Sequence, residues 1–135
     1  MNVLENNNVE IEKIKFGASP CDIDNLAEKV ITGEKVSTSS LLDYYLLGLK
    51  KPSNTGDRFS ILNSREEEVA VVRIHKTAII RFGDITEEFA VEEGDGGLEN
   101  WTAIHKPYYT GLLSEIGKEL TADTLLVCEW FRVVK

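Results

Sequence analysis

The feature that most constrains the fold is a long run of strand-forming residues from Val69 to Phe82. Strands in globular proteins usually have about 3–10 residues, so this run is too long for one flat strand. We therefore predict a bend or bulge near Thr77, after a hairpin tip at residues 65–68. A bent strand favours a small curved sheet or barrel over a doubly wound parallel sheet.

Shorter segments predict the other strands. A turn at 50–57 leads into a strand at 58–62, and a further strand is expected at 125–134. Residues 9–16 fit a short edge strand, whereas 37–42 fit either a strand or an exposed extended stretch. The apolar segment 44–49 is compatible with either helix or strand.

The clearest helix begins after Ser19. This serine is a suitable N-cap, and Pro20 occupies the first helical position. Gly33 is expected to end the helix. The apolar residues between them fall on one face: Ile23, Leu26, Ala27, Val30 and Ile31.

Two more helices are expected near 85–93 and 98–118, separated by a glycine-rich break. Asp84 is predicted to cap the first, with Glu87 placed for a capping box, and Pro107 to kink the second. The predicted fold class is therefore α+β, a single domain in which helices flank a curved, mostly antiparallel sheet.

The charge of the chain argues against tight binding to long nucleic acids. Its 135 residues carry a net charge of −8, and no Lys or Arg occurs between Arg81 and Lys106. Non-specific binding to RNA or DNA depends on neutralising phosphates with cations. We therefore expect no tight binding to generic duplexes, and the acidic stretch is either solvated surface or part of a site.

The sequence also predicts where the protein works. No segment approaches the about 18 apolar residues that a membrane span needs, so no membrane partner is expected. Residues 1–8 are polar and Asn-rich, without the pattern of a secretory signal. We therefore expect a cytoplasmic protein in which Cys21 and Cys128 are reduced thiols.

No motif indicates a metal or a cofactor. The side chains His75, His105, Cys21 and Cys128 lack the paired spacing of a zinc site. The glycine-rich segment 94–97 is acidic and lacks the lysine of a phosphate-binding loop. We therefore predict no metal site and no cofactor.

The segment with the most chemical interest follows the first helix. Lys35 and Thr38 lie three residues apart at a transition from helix to strand. That spacing would put both on one face of a helix but on opposite faces of a strand. By themselves, these residues indicate only a solvated lysine and a strand residue.

A series of short motifs runs in order through residues 16–134. The motifs are Phe16-Gly17 with Ser19-Pro20, Gly33-x-Lys35-x-x-Thr38, Gly56-Asp57, Thr86-Glu87-x-Phe89-Ala90-x-x-Glu93-Gly94-Asp95, Leu98-x-x-Trp101-x-x-x-His105-x-x-Tyr108-Tyr109 and Val127-Cys128-Glu129-x-Phe131-x-Val133-Val134. This ordered set resembles the ASCH domain family. The resemblance implies an ASCH domain at 16–135 after a partly disordered N-terminal extension at 1–15.

The resemblance also implies a fold and an activity. ASCH domains are PUA-like β-barrels flanked by helices, are linked to RNA metabolism, and have a cleft beside the Gly-x-Lys-x-x-Thr motif. One bacterial branch removes the acetyl group from N4-acetylcytidine. Its catalytic residues would correspond to Lys35, Thr38 and Glu93, acting as base, nucleophile and acid.

The chain departs from that branch at two positions. Ser40 stands where the branch has an arginine, and Phe89 where it often has a histidine. The chain is thus more similar to a longer bacterial branch that contains Trp and His. The predicted ligand-binding residues are Ser40, Tyr44, Tyr45, Lys51, Arg58, Trp101, His105 and Tyr109.

Two other functions remain open. The chain could be a non-catalytic RNA-binding or regulatory module, with phosphate contacts from Lys35, Lys50, Lys51 and Arg58. It could also be a ribonuclease that uses Tyr44 or Tyr45 with Lys50 or Lys51. The expected partner is accordingly a small nucleoside-like ligand or RNA.

Overall fold

The computed structural model describes residues 11–134, in which five strands form one curved sheet. The strands are β1 (Glu12–Ile14), β2 (Ser37–Leu41), β3 (Arg58–Leu62), β4 (Glu68–Arg81) and β5 (Leu125–Val133). Their order across the sheet is β1-β3-β4-β5-β2. Only β1 and β3 pair in parallel among these strands. The predicted α+β class, with a curved and mostly antiparallel sheet, is confirmed.

The predicted N-terminal extension lies partly outside the described residues, and the tail at 1–8 lies wholly outside them. Residues Glu12–Ile14 pair with β3 through Glu12↔Phe59 and Ile14↔Ile61. The boundary between an extension at 1–15 and a domain at 16–135 stays a prediction.

The long strand β4 bends close to the predicted position. Its register against β5 shifts between Ile74 and Lys76, which leaves His75 as the extra residue. The bulge thus falls two residues before Thr77. At this point Ile74 exchanges backbone hydrogen bonds with the 56–57 turn, which ties the bend to the neighbouring loop.

The first helix, α1 (Pro20–Thr32), has the predicted bounds. The Ser19 hydroxyl accepts a hydrogen bond from the Asp22 backbone N–H at 3.1 Å. Gly33 ends the helix with a left-handed φ of +85°. The ambiguous segment 44–49 is partly resolved as a short helix, α2 (Leu42–Leu46).

The capping predicted for the helix near 85–93 was wrong. Thr86, not Asp84, caps α3 (Glu87–Glu92), because the extended residue Ile85 separates Asp84 from that helix. Glu87 does not close a capping box; its carboxylate accepts a hydrogen bond from the Leu98 N–H at 2.8 Å. It thereby supports the start of α4 (Leu98–Ser114), which ends before the predicted residue 118.

The sheet carries a hydrophobic cluster on each side. Alternate residues of β5 point to opposite faces, so Leu126 and Cys128 face α3 and α4, whereas Phe131 faces α1. We call these the α4 face and the α1 face. On the α4 face the sheet packs against Trp101 and Tyr109. On the α1 face Ala27 and Val30 cluster with the strand residues Phe59, Ile61, Val72 and Ile74.

Within residues 11–134, no helix combines the length and the apolar character needed to cross a membrane.

Candidate functional site

Lys35 is buried at the edge of β2. Only 4% of the residue is exposed. Its Nζ donates hydrogen bonds to the carbonyl oxygens of Ser37 at 2.8 Å and Glu93 at 3.0 Å. Burial lowers the pKa of Lys35, although the nearby charges of Glu93 and Asp95 oppose that shift.

Glu93 lies beside Lys35 and is held by hydrogen bonds on both carboxylate oxygens. Its Oε1 accepts from the backbone N–H of Ser39 at 2.7 Å and from the Ser39 hydroxyl at 2.9 Å. Its Oε2 accepts from the indole N–H of Trp101. With 3% exposure, Glu93 is fixed against the edge of β2.

Three aromatic side chains of α4 close this cluster. Trp101, His105 and Tyr109 are spaced by four residues and therefore share one helix face. The rings of Trp101 and His105 stack at 4.4 Å, and the Tyr109 hydroxyl lies 2.6 Å from the Ser39 hydroxyl. Trp101 and Tyr109 are each 1% exposed, so their rings are enclosed in the core. Their role in ligand binding stays a prediction.

Glu93, Asp95 and His105 are the side chains here that could hold a divalent cation. One ligand atom from each lies within 4.8 Å of the others. His105 Nε2 is 3.5 Å from Glu93 Oε2, and its Nδ1 is 3.6 Å from Asp95 Oδ2. Burial raises the pKa of Asp95, against the opposing effect of His105. Ser39 and Trp101 donate to the two oxygens of Glu93, whereas Asp95 Oδ2 is buried without a hydrogen-bond partner among the described residues.

Thr38 lies on the other side of β2. It pairs in register with Glu129, whereas Ser39 pairs with Cys128. Since alternate residues point to opposite faces, Thr38 is on the α1 face and Ser39 on the α4 face. The structure therefore brings Lys35 and Glu93 together at the strand edge, with Thr38 on the adjoining face.

Glu129 is the residue that the sequence analysis missed as a site residue. It lies on the α1 face of β5, is 7% exposed, and pairs in register with Thr38 on one side and Thr77 on the other. Burial raises the pKa of Glu129, opposed by the charge of Lys50. The available signal was an acidic residue in the middle of an apolar strand.

The other predicted site residues lie in different places. Tyr45 and Ser40 are together on the α1 face, with their hydroxyl oxygens 2.8 Å apart. The Tyr44 hydroxyl instead donates to the Leu112 carbonyl at 2.8 Å, so the two tyrosines diverge. Lys51 and Arg58 are exposed.

Comparison with known proteins agrees with this architecture. The family model for the ASCH domain matches residues 12–135. This chain belongs to the ASCH domain family. The resemblance inferred from the ordered motifs is therefore confirmed.

Solved structures give the same result for the fold. The ASCH domain of Lactobacillus crispatus superposes with a TM-score of 0.87 at 23% identity, covering 98% of this chain and 85% of that one. A protein from Enterococcus faecalis superposes with a TM-score of 0.81 at 27% identity, covering 98% and 83%. A search of curated proteins found no match.

Proposed function

We propose that this ASCH domain binds a small nucleoside-like ligand beside β2 and hydrolyses an N-acyl amide on its base, as in an N4-acylated cytidine. The observation that supports this is the buried amine of Lys35, which lies against Glu93 three residues before Thr38. Burial lowers the pKa of Lys35, which increases the fraction of neutral amine that can act as a base. The free thiols of Cys21 and Cys128 accord with a cytoplasmic location.

The two backbone carbonyls beside Lys35 suit it to this role. A neutral amine that donates its two N–H groups to Ser37 and Glu93 keeps its lone pair for a third direction. The lone pair takes the proton of the Thr38 hydroxyl while the hydroxyl oxygen attacks the acyl carbon. The ammonium group then returns that proton to the departing amine, and water hydrolyses the resulting ester of Thr38.

Glu93 supports the base in this scheme. Both of its carboxylate oxygens already accept hydrogen bonds, one from Ser39 and the other from Trp101. We therefore assign it to positioning Lys35 and stabilising the ammonium group, in place of the acid role that the family resemblance implied.

Turnover of N4-acetylcytidine, followed by chromatography of cytidine and acetate, tests the proposal. Thr38→Val keeps the shape of the side chain but removes the nucleophile, so turnover should fall to background while Thr38→Ser keeps part of it. Lys35→Arg should also abolish turnover, because arginine stays protonated. Glu93→Gln should lower kcat more than it changes KM.

Thr110→Val is the matched control. Thr110 is exposed on α4, where its hydroxyl donates to the Lys106 carbonyl at 2.6 Å, away from the proposed site. This variant should retain the wild-type rate. Absence of turnover by the wild type, or a full rate in Thr38→Val, would contradict the proposed reaction.

A non-catalytic binding module is the second candidate. It is favoured by the hydrogen bonds that both carboxylate oxygens of Glu93 accept, because a glutamate with a purely structural role would make the same bonds. In this case exposed Lys50, Lys51 and Arg58 would contact phosphates. Binding of cytidine or a short RNA without turnover is the expected result.

A further inference from the structure

Glu129 has a carboxylate oxygen that is buried but makes no hydrogen bond within residues 11–134. Among the residues that the structure describes, its Oε2 is buried and has no hydrogen-bond partner. Buried polar atoms almost always have partners, because leaving one unpaired costs about 1–3 kcal/mol. A ligand that donates a hydrogen bond to this oxygen would remove that cost.

A depression lies next to the strand positions that flank Glu129. It has a volume of about 230 Å³ and lies between α2, the loop before β3 and the strands β4 and β5. Thr77, the register partner of Glu129, lines it, as does Val127, two residues from Glu129 on the same face. The remaining walls include Leu42, Tyr45, Pro52 and Ser53. We call this the Glu129 depression.

Its size and lining suit one aromatic ring. The volume is just below the about 300 Å³ at which pockets for drug-sized ligands begin. Tyr45 provides an aromatic wall, and Lys50 Nζ lies 5.7 Å from the centre of that ring. Proteins recognise isolated bases through aromatic contacts to the ring and hydrogen bonds to its polar edge.

The protonation of Glu129 determines which hydrogen-bonding edge of a base it can pair with. Burial raises its pKa, and nearby Glu12 and Asp57 raise it further, whereas Lys50 and the Ser53 hydroxyl lower it. The protonated form therefore persists to higher pH than in an ordinary glutamate. A neutral carboxyl group offers an O–H donor beside a C=O acceptor.

We infer that the Glu129 depression is the base-binding subsite, in which Glu129 pairs with a ring edge that carries a donor beside an acceptor, as N3 and N4 of cytosine do. The ligand class rests on the proposed function. Thr38 is the cross-strand neighbour of Glu129, and such neighbours have Cβ atoms about 4.5–5.5 Å apart. A base held by Glu129 would thus present its exocyclic amide to Thr38.

Calorimetric titration of the full chain with cytidine and 3-methyluridine tests the subsite. In 3-methyluridine a methyl group blocks N3 and a carbonyl oxygen replaces the N4 donor, so it should bind at least about tenfold more weakly than cytidine, the effect of one lost pairing. Glu129→Met should weaken cytidine binding by about tenfold or more. Glu129→Gln should stay within about threefold of wild type, because an amide also has a donor beside an acceptor.

Glu119→Met is the matched control, since it makes the same substitution at an exposed glutamate outside the Glu129 depression. It should bind cytidine like the wild type. Thermal unfolding of each variant checks that binding is measured on folded protein. Unchanged cytidine binding by Glu129→Met would overturn the subsite, and equal losses in Glu129→Met and Glu129→Gln would overturn pairing through the neutral acid.

The two proposals fail in different ways. If the wild type binds cytidine through Glu129 but does not cleave N4-acetylcytidine, the reaction is wrong and the subsite stands. If it cleaves N4-acetylcytidine and Glu129→Met leaves KM unchanged, the subsite is wrong and the reaction stands.

Discussion

The two buried glutamates, Glu93 and Glu129, differ in their hydrogen bonding. Glu93 is satisfied by Ser39 and Trp101, whereas Glu129 has an oxygen without a partner among the described residues. Burial of Cys128, with the charges of Glu93 and Glu129, raises its pKa to about 12. An enclosed thiol of this kind is a core residue and not a nucleophile.

The two cysteines should therefore differ sharply in reactivity. At about pH 8 the native protein should react with a thiol reagent such as dithionitrobenzoate at Cys21 alone, since Cys21 is exposed and Cys128 is fully buried. Unfolding in guanidinium should expose both thiols. The variant Cys21→Ser should show no fast reaction while native, and a fast thiol in that variant would contradict the burial of Cys128.

Helix termini depend on local backbone conformation more than on packing. At Gly33 the backbone has φ +85°, whereas Gly111 lies within α4. A Cβ atom added at either position would meet no heavy atom within 4 Å. The two glycines therefore differ in backbone geometry but not in available space.

Alanine substitutions at these glycines should have opposite effects on the free energy of unfolding. Gly33→Ala should lower it by roughly 1–2 kcal/mol, because an L-residue is strained in the left-handed region. Gly111→Ala should raise it by about 0.5–1 kcal/mol, because alanine favours the helix. Urea denaturation measures both, and two effects of the same sign would show that backbone conformation is not the deciding factor.

Over the whole molecule, charge limits the choice of ligand. The net charge is −8, and the acids of α3 and the following turn contribute much of it. A small ligand held by a few hydrogen bonds tolerates this field, whereas a long polyanion is repelled by it.

Random-sequence RNA should therefore bind only weakly. At physiological salt we expect an affinity weaker than the about 10⁻⁴–10⁻⁶ M that non-specific binders show. Fluorescence anisotropy with labelled RNA, compared with duplex DNA, measures this. Sub-micromolar binding would instead favour the non-catalytic RNA-binding module over the small-ligand reaction.

Local signals in the sequence were sufficient for several elements. Ser19, Pro20 and Gly33 define α1 because caps and helix stops act within a few residues. The β-rich runs placed β3 at Arg58–Leu62 and β4 within one residue of its bounds. Together with the ordered motifs, these signals predicted the fold class and the ASCH family.

Only the tertiary structure decided how distant residues meet. Lys35 and Glu93 are 58 positions apart, and their contact depends on α3 docking beside the edge of β2. The face occupied by Thr38 depends on strand register, and the environment of Glu129 on two neighbouring strands and a loop. Such contacts leave no periodic signal in a single sequence, because they arise from long-range packing and not from local conformational preference.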